Sequence, residues 1–95
     1  MILEFTCTLI EWRGPAPFVF APVPEDESEL IEEVSSLVTY GWGAIPAHIR
    51  IGETDFQTAL FPKDGIYLVP VKVAVQKAEN VKIGDTVKVR LELRI

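Results

Sequence analysis

The chain opens on an alternation. In ILEFTCTLI, Leu3, Phe5, Cys7 and Leu9 fall on one side and Glu4, Thr6 and Thr8 on the other. Period-two spacing of this kind predicts a strand with one face buried. The apolar set then changes parity to Ile10 and Trp12, which predicts a bulge or the end of that face. RGPAP, residues 13–17, is punctuated by glycine and proline and reads as a turn. FVFAPV follows as a short strand of aromatic and branched residues, with Pro22 at its end or on a sheet edge.

The period then changes. Leu30, Ile31, Val34, Leu37 and Val38 form one helical stripe, and Asp26 with Glu29 has the spacing of a capping box. A helix is predicted over about 26–38, its acids Glu27, Glu29, Glu32 and Glu33 mostly off the stripe and near the positive end of the dipole. Gly41 is placed to stop it, leaving Trp42 between two glycines to cover the mouth of a barrel.

Period two returns in IPAHIRI, where Ile45, Ala47, Ile49 and Ile51 oppose Pro46, His48 and Arg50. Gly52-Glu53 turns the chain into TDFQTALF, with Phe56 and Leu60 on one face. Pro62-Lys63-Asp64-Gly65 fits a four-residue turn with glycine last, followed by the strand IYLVPV. Residues 71–78 carry both periods: Val71, Val75 and Ala78 suit a helix and Val73 a strand. A short helical connector over about 72–78 is expected, ended by Asn80, which tolerates the left-handed cap. In TVKVRLELRI, Val87, Val89, Leu91, Leu93 and Ile95 point inward, and Lys88, Arg90, Glu92 and Arg94 outward. The whole predicts a mainly β domain over 1–95: a small six-stranded barrel, closed or split, with one capping helix.

Charge adds an asymmetry. Of the net −5, residues 1–60 hold two bases and ten acids (−8), while residues 61–95 hold seven bases and four acids (+3). Six of the ten acids lie in PEDESELIEE, so one segment makes the chain acidic. A mean hydropathy of +0.25 is high for so small a body and hints at apolar surface covered by a partner, such as a second copy. No apolar run is long enough for a membrane helix, and MILEFTCTLIEW, with two acids and no basic leader, does not read as a signal peptide. A single cysteine fits a reducing compartment, and a cytoplasmic location is expected.

Candidate chemistry is sparse. Cys7 lies on the buried face of its strand, His48 is the only histidine, and Ser28, Ser35 and Ser36 all fall in the helix. No nucleophile stands beside a base, as covalent catalysis requires. One Cys and one His leave a zinc site short of ligands, and the acid block lacks the loop spacing of a calcium site. Gly41-Trp42-Gly43 lacks the frame of a phosphate-binding loop. No cofactor or metal is expected.

Beyond the helix the motifs run in an ordered series: an isoleucine-rich strand, I-G, a strand ending in LFP, a D-G turn, YL-P-K, a short connector, then GD-V-V-L. In this order the chain resembles Domain of Unknown Function family nineteen-oh-five, a set of small bacterial and archaeal β-barrel proteins. FVFAPVP before an acidic helix agrees more loosely. The resemblance implies a six-stranded barrel-like domain, brings no accepted catalytic activity, and implies a context shared with bacteriocin-resistance-associated proteins. Where that family's connector reads R-K-A-x-G, this chain has Gln76-Lys77-Ala78-Glu79-Asn80, so no role of that arginine carries over.

A non-catalytic binding module is therefore expected, for a small anionic ligand or a protein partner, with a homodimer as one form. The candidate surface is Trp42, Arg50, Lys63, Tyr67, Lys72 and Lys77, with Lys82 near the lysines. Nucleic-acid binding is an alternative that the net −5 opposes. An enzyme using Asp64 or Asp85 as base is the remaining one, and each aspartate has a plain turn role.

Overall fold

A computed structural model describes residues 1–13, 17–38 and 45–93, without the side chains of 13, 17, 18 and 35–38. The elements run β1 (Ile2–Thr8), β2 (Ile10–Arg13), β3 (Pro17–Pro22), α1 (Glu25–Val38), β4 (Ile45–Ile51), β5 (Thr54–Lys63), β6 (Ile66–Pro70), α2 (Val73–Glu79) and β7 (Thr86–Leu93). The strands form one antiparallel sheet in the order β1-β7-β4-β5-β6-β3-β2, a half-barrel with two helices. The centre of the RGPAP turn, the Gly41 stop, Trp42, Arg94 and Ile95 lie outside the described residues.

The sequence predicts six strands, and seven are described because the first breaks at Leu9. β1 pairs with β7 and β2 with β3. The parity change at Ile10 therefore marks a passage from one edge of the sheet to the other. Leu9 is buried; its N–H donates to the Asp85 carbonyl at 2.9 Å, and its carbonyl accepts from the Gly84 N–H at 2.9 Å. The first and last strands in the sheet order are thus joined by one residue, and the sheet curves round a single core.

Alternation sorts that core. β4 buries Ile45, Ala47, Ile49 and Ile51, β5 Phe56 and Leu60, and β7 Val87, Val89, Leu91 and Leu93, as their spacing predicts. Each such aliphatic side chain taken out of water contributes roughly 1.5–3 kcal/mol. Phe5 is buried on the same side, with Leu3 and Cys7 half-buried against the cluster.

Three details of the helices and turns differ from the pattern. The Ser28 N–H donates to the Pro24 carbonyl at 2.8 Å, so Pro24 holds the cap position and Asp26 lies inside the first turn of α1. The predicted capping box is not formed that way. Leu30 is exposed, while Ser28 and Ile31 are buried and Val34 half-buried, so the stripe sits one position away from Leu30. The turn after β5 is shorter than predicted. Pro62 and Lys63 belong to β5, paired with Tyr67 and Ile66, and only Asp64-Gly65 turns. Both have positive φ (50° and 85°), the mark of a two-residue type I′ hairpin. Pro62 is tolerated because β5 pairs with β4 only as far as Leu60, so beyond it the strand has no neighbour on that side among the described residues.

The connector is helical. Val73, the residue that favoured a strand, is exposed, and Val75 is buried in the core. Asn80 takes the left-handed conformation (φ 52°, ψ 49°), and the Val81 N–H donates to the Gln76 carbonyl at 3.0 Å. Those bonds make a Schellman ending, with half-buried Val81 as its apolar contact.

Candidate functional site

The outward positions of β1, β7, β4 and β5 bring four charges into one row. Glu4 pairs with Arg90, Arg90 with Arg50, and Arg50 with Asp55. Two arginines are thus direct cross-strand neighbours, an arrangement that costs stability in an isolated sheet. Lys88, two residues from Arg90 on the same face of β7, adds a third cation.

Each cation has a different hold. The Arg50 Nε donates to the Gly52 carbonyl at 3.2 Å, and its Nη1 lies 3.8 Å from the Asp55 carboxylate. Asp55 is shared, since its other oxygen lies 3.2 Å from His48 Nε2. Arg90 and Lys88 make no ion pair among the described residues. Glu4, Arg50, Gly52, Lys88, Val89 and Arg90 line a shallow cleft of about 260 Å³ with three cations and one acid.

The other predicted residues lie elsewhere. Tyr67 is buried in the core, because alternation along β6 turns Tyr67 and Val69 inward and Ile66 and Leu68 outward. It therefore does not stand between the lysines at the surface. Lys63 lines a cleft of about 280 Å³ with Trp12, Asp64 and Leu68. Lys72 lines another of about 530 Å³ with Glu11, Val19, Val73 and Gln76. Lys77 sits exposed in the last turn of α2, and Trp42 lies outside the described residues.

Trp12 is the surface aromatic that the sequence reading passed over. Its ring lies 5.9 Å from that of Phe20 in a tilted pair, and the Lys63 ammonium sits 4.2 Å from its centroid. The available signal was the parity change at Ile10 and Trp12, which carries both side chains to the outer face.

Reactive groups are tied to the fold or kept apart. Burial pushes the Cys7 thiol up to about 11, so the neutral, poorly nucleophilic form prevails near neutral pH. His48 does have an acid beside it in Asp55, which sequence alone did not disclose, but it faces outward while Cys7 faces the core. The Asp85 carboxylate accepts the Lys82 N–H at 2.9 Å and so closes a turn, and Asp64 is a hairpin residue. Among the described residues no three His, Cys, Asp or Glu side chains converge, and no helix is long and apolar enough to cross a membrane.

Among curated proteins, none matches this chain. The sequence profile described as Domain of unknown function (DUF1905) matches residues 5–91, from the middle of β1 into β7, and with that span this half-barrel chain belongs to the DUF1905 family.

Proposed function

We propose that the domain is a non-catalytic binding module that holds a small oxyanion, a phosphate or carboxylate group, between Arg50, Arg90 and Lys88. The observation that carries this reading is the direct opposition of Arg50 and Arg90 across β4 and β7. Each arginine has an acid across its other strand, Glu4 and Asp55, yet the two still oppose each other, a like-charge pairing that costs stability. An oxyanion reverses the sign of that interaction, and the guanidinium fork suits its oxygens. The cleft of about 260 Å³ is sized for a small group, with the Lys88 ammonium at one side. Exposure keeps affinity modest, because water and salt screen such contacts.

The test is a titration of the ¹⁵N-labelled protein with inorganic phosphate at low ionic strength, with acetate and a short oligonucleotide as parallel arms. Saturable amide shifts confined to residues near Glu4, Arg50–Gly52 and Lys88–Arg90 are expected with phosphate. The double variant Arg50→Gln with Arg90→Gln is expected to lose them while keeping its fold. An unresponsive wild-type spectrum, or shifts that persist in the double variant, overturns the reading. Tight binding of the oligonucleotide with no response to phosphate replaces it with the nucleic-acid alternative.

A further inference from the structure

The other half of the sheet presents a different outer surface. Register places Ile10 and Trp12 of β2, Phe20 of β3, Ile66 and Leu68 of β6 and Phe61 of β5 on one outward face. Phe20 and Leu68 are 4% and 2% exposed, and neither belongs to the inner core cluster. Ile10, Trp12 and Phe61 are 39%, 45% and 46% exposed. Exposed large apolar side chains grouped on one face, as Ile10, Trp12 and Phe61 are, mark a contact surface.

The face ends at β2, which pairs with β3 alone and so leaves its second side open among the described residues. Open edges are blunted by short strands, charges, prolines or bulges, and where the charges are alike they also repel a second copy. β2 reads Ile10-Glu11-Trp12-Arg13, with residues of opposite formal charge on either side of Trp12. A strand laid antiparallel on a copy of itself with Trp12 on the axis sets Glu11 opposite Arg13 twice over, a favourable cross-strand combination. The same symmetry stacks Trp12 against its counterpart and continues the apolar face from one copy into the next. At the rim, Lys63 and Asp64 again supply one charge of each sign, 3.9 Å apart. Self-complementarity on these three counts is what a twofold interface demands of a single surface.

We infer that the β2 edge and its apolar outer face dock a second copy of this chain, β2 antiparallel to β2 about Trp12, forming a dimer with one continuous sheet. The inference is independent of the oxyanion cleft, which lies on the other half of the sheet.

Sedimentation velocity over a series from micromolar to near-millimolar protein tests it. The wild-type chain is expected to move from monomer to dimer mass. Trp12→Lys is expected to stay monomeric with an unchanged far-ultraviolet circular dichroism spectrum. Glu11→Arg alone places arginines opposite each other and is expected to weaken dimerisation at least tenfold. Adding Arg13→Glu restores the opposite-sign pairing and is expected to recover most of the loss, an outcome that mere damage to the fold does not give. A wild-type chain that stays monomeric throughout overturns the inference, even if a foreign peptide is found on the face. So does a dimer that survives Trp12→Lys, or a charge swap that rescues nothing.

Discussion

Ser28 shows how one polar side chain does structural duty in an apolar stripe. Its hydroxyl donates to the Val23 carbonyl at 3.1 Å and accepts the Tyr67 N–H at 3.1 Å, tying the start of α1 to β6. The residue is 2% exposed, a burial that only satisfied hydrogen bonds make tolerable. Sequence spacing places Ser28 three residues before Ile31, on the same helix face, but a search for apolar periodicity scores Leu30 and skips a serine. The stripe was therefore legible as a helix and misread by one position. Ser28→Ala is expected to cost roughly 1–3 kcal/mol, because it removes both the donor and the acceptor at a buried site. Leu30→Ala is expected to change stability by no more than about 0.5 kcal/mol, as surface substitutions do. Urea unfolding followed by circular dichroism ranks the two, and a larger loss at Leu30 contradicts the assigned face.

At the level of elements, legibility followed how cleanly burial sorts a segment. β4 and β7 each have one face in the core and one in water, so their alternation reads directly. β6 buries Tyr67, Leu68 and Val69 in succession, side chains on both faces of the strand, which period two does not describe. The last-third excess of base was visible in the chain, but not its partner: Arg50 and Arg90 become neighbours only through the pairing of β4 with β7. The hairpin between β5 and β6 was half-legible. Asp-Gly between two strands is the signal of a type I′ turn, and the proline before it drew the turn two residues too wide. The positive φ at both turn residues gives that correction a consequence. Gly65→Ala is expected to lower stability by roughly 1–2 kcal/mol, the cost of left-handed backbone for a residue with a Cβ. Asp64→Asn is expected to be close to neutral, since asparagine accepts that conformation equally well. Thermal unfolding of the two variants separates a two-residue turn from a four-residue one, in which Asp64→Asn and Gly65→Ala have no reason to differ in this order.

For the whole molecule, the question is whether the two halves of the sheet, one with the basic cleft and one with the aromatic face, stand or fall together. Two connections argue that they do. β5 pairs with β4 along Thr54–Leu60 and with β6 along Phe61–Lys63, so one strand belongs to both halves. The chain also passes from β1 on one edge to β2 on the other through Leu9 alone, whose backbone is held by Gly84 and Asp85 and whose side chain is 1% exposed. The core is correspondingly shared: Phe5, Ile49 and Leu91 from one half lie in one cluster with Ala21, Tyr67 and Val69 from the other. Neither half has a core of its own to fall back on, and a sheet fragment without one is marginal in water. Leu9→Ala is therefore expected to cost roughly 2–5 kcal/mol, as large-to-small changes at full burial do, and to shift one cooperative transition rather than split it. Circular dichroism, which reads the sheet, and near-ultraviolet absorbance, which reads the tryptophans, are expected to trace coincident unfolding curves in the wild type and the variant. Two separated transitions in Leu9→Ala show instead that each half folds by itself, in which case the passage at Leu9 is only a linker and the sheet is two structures side by side.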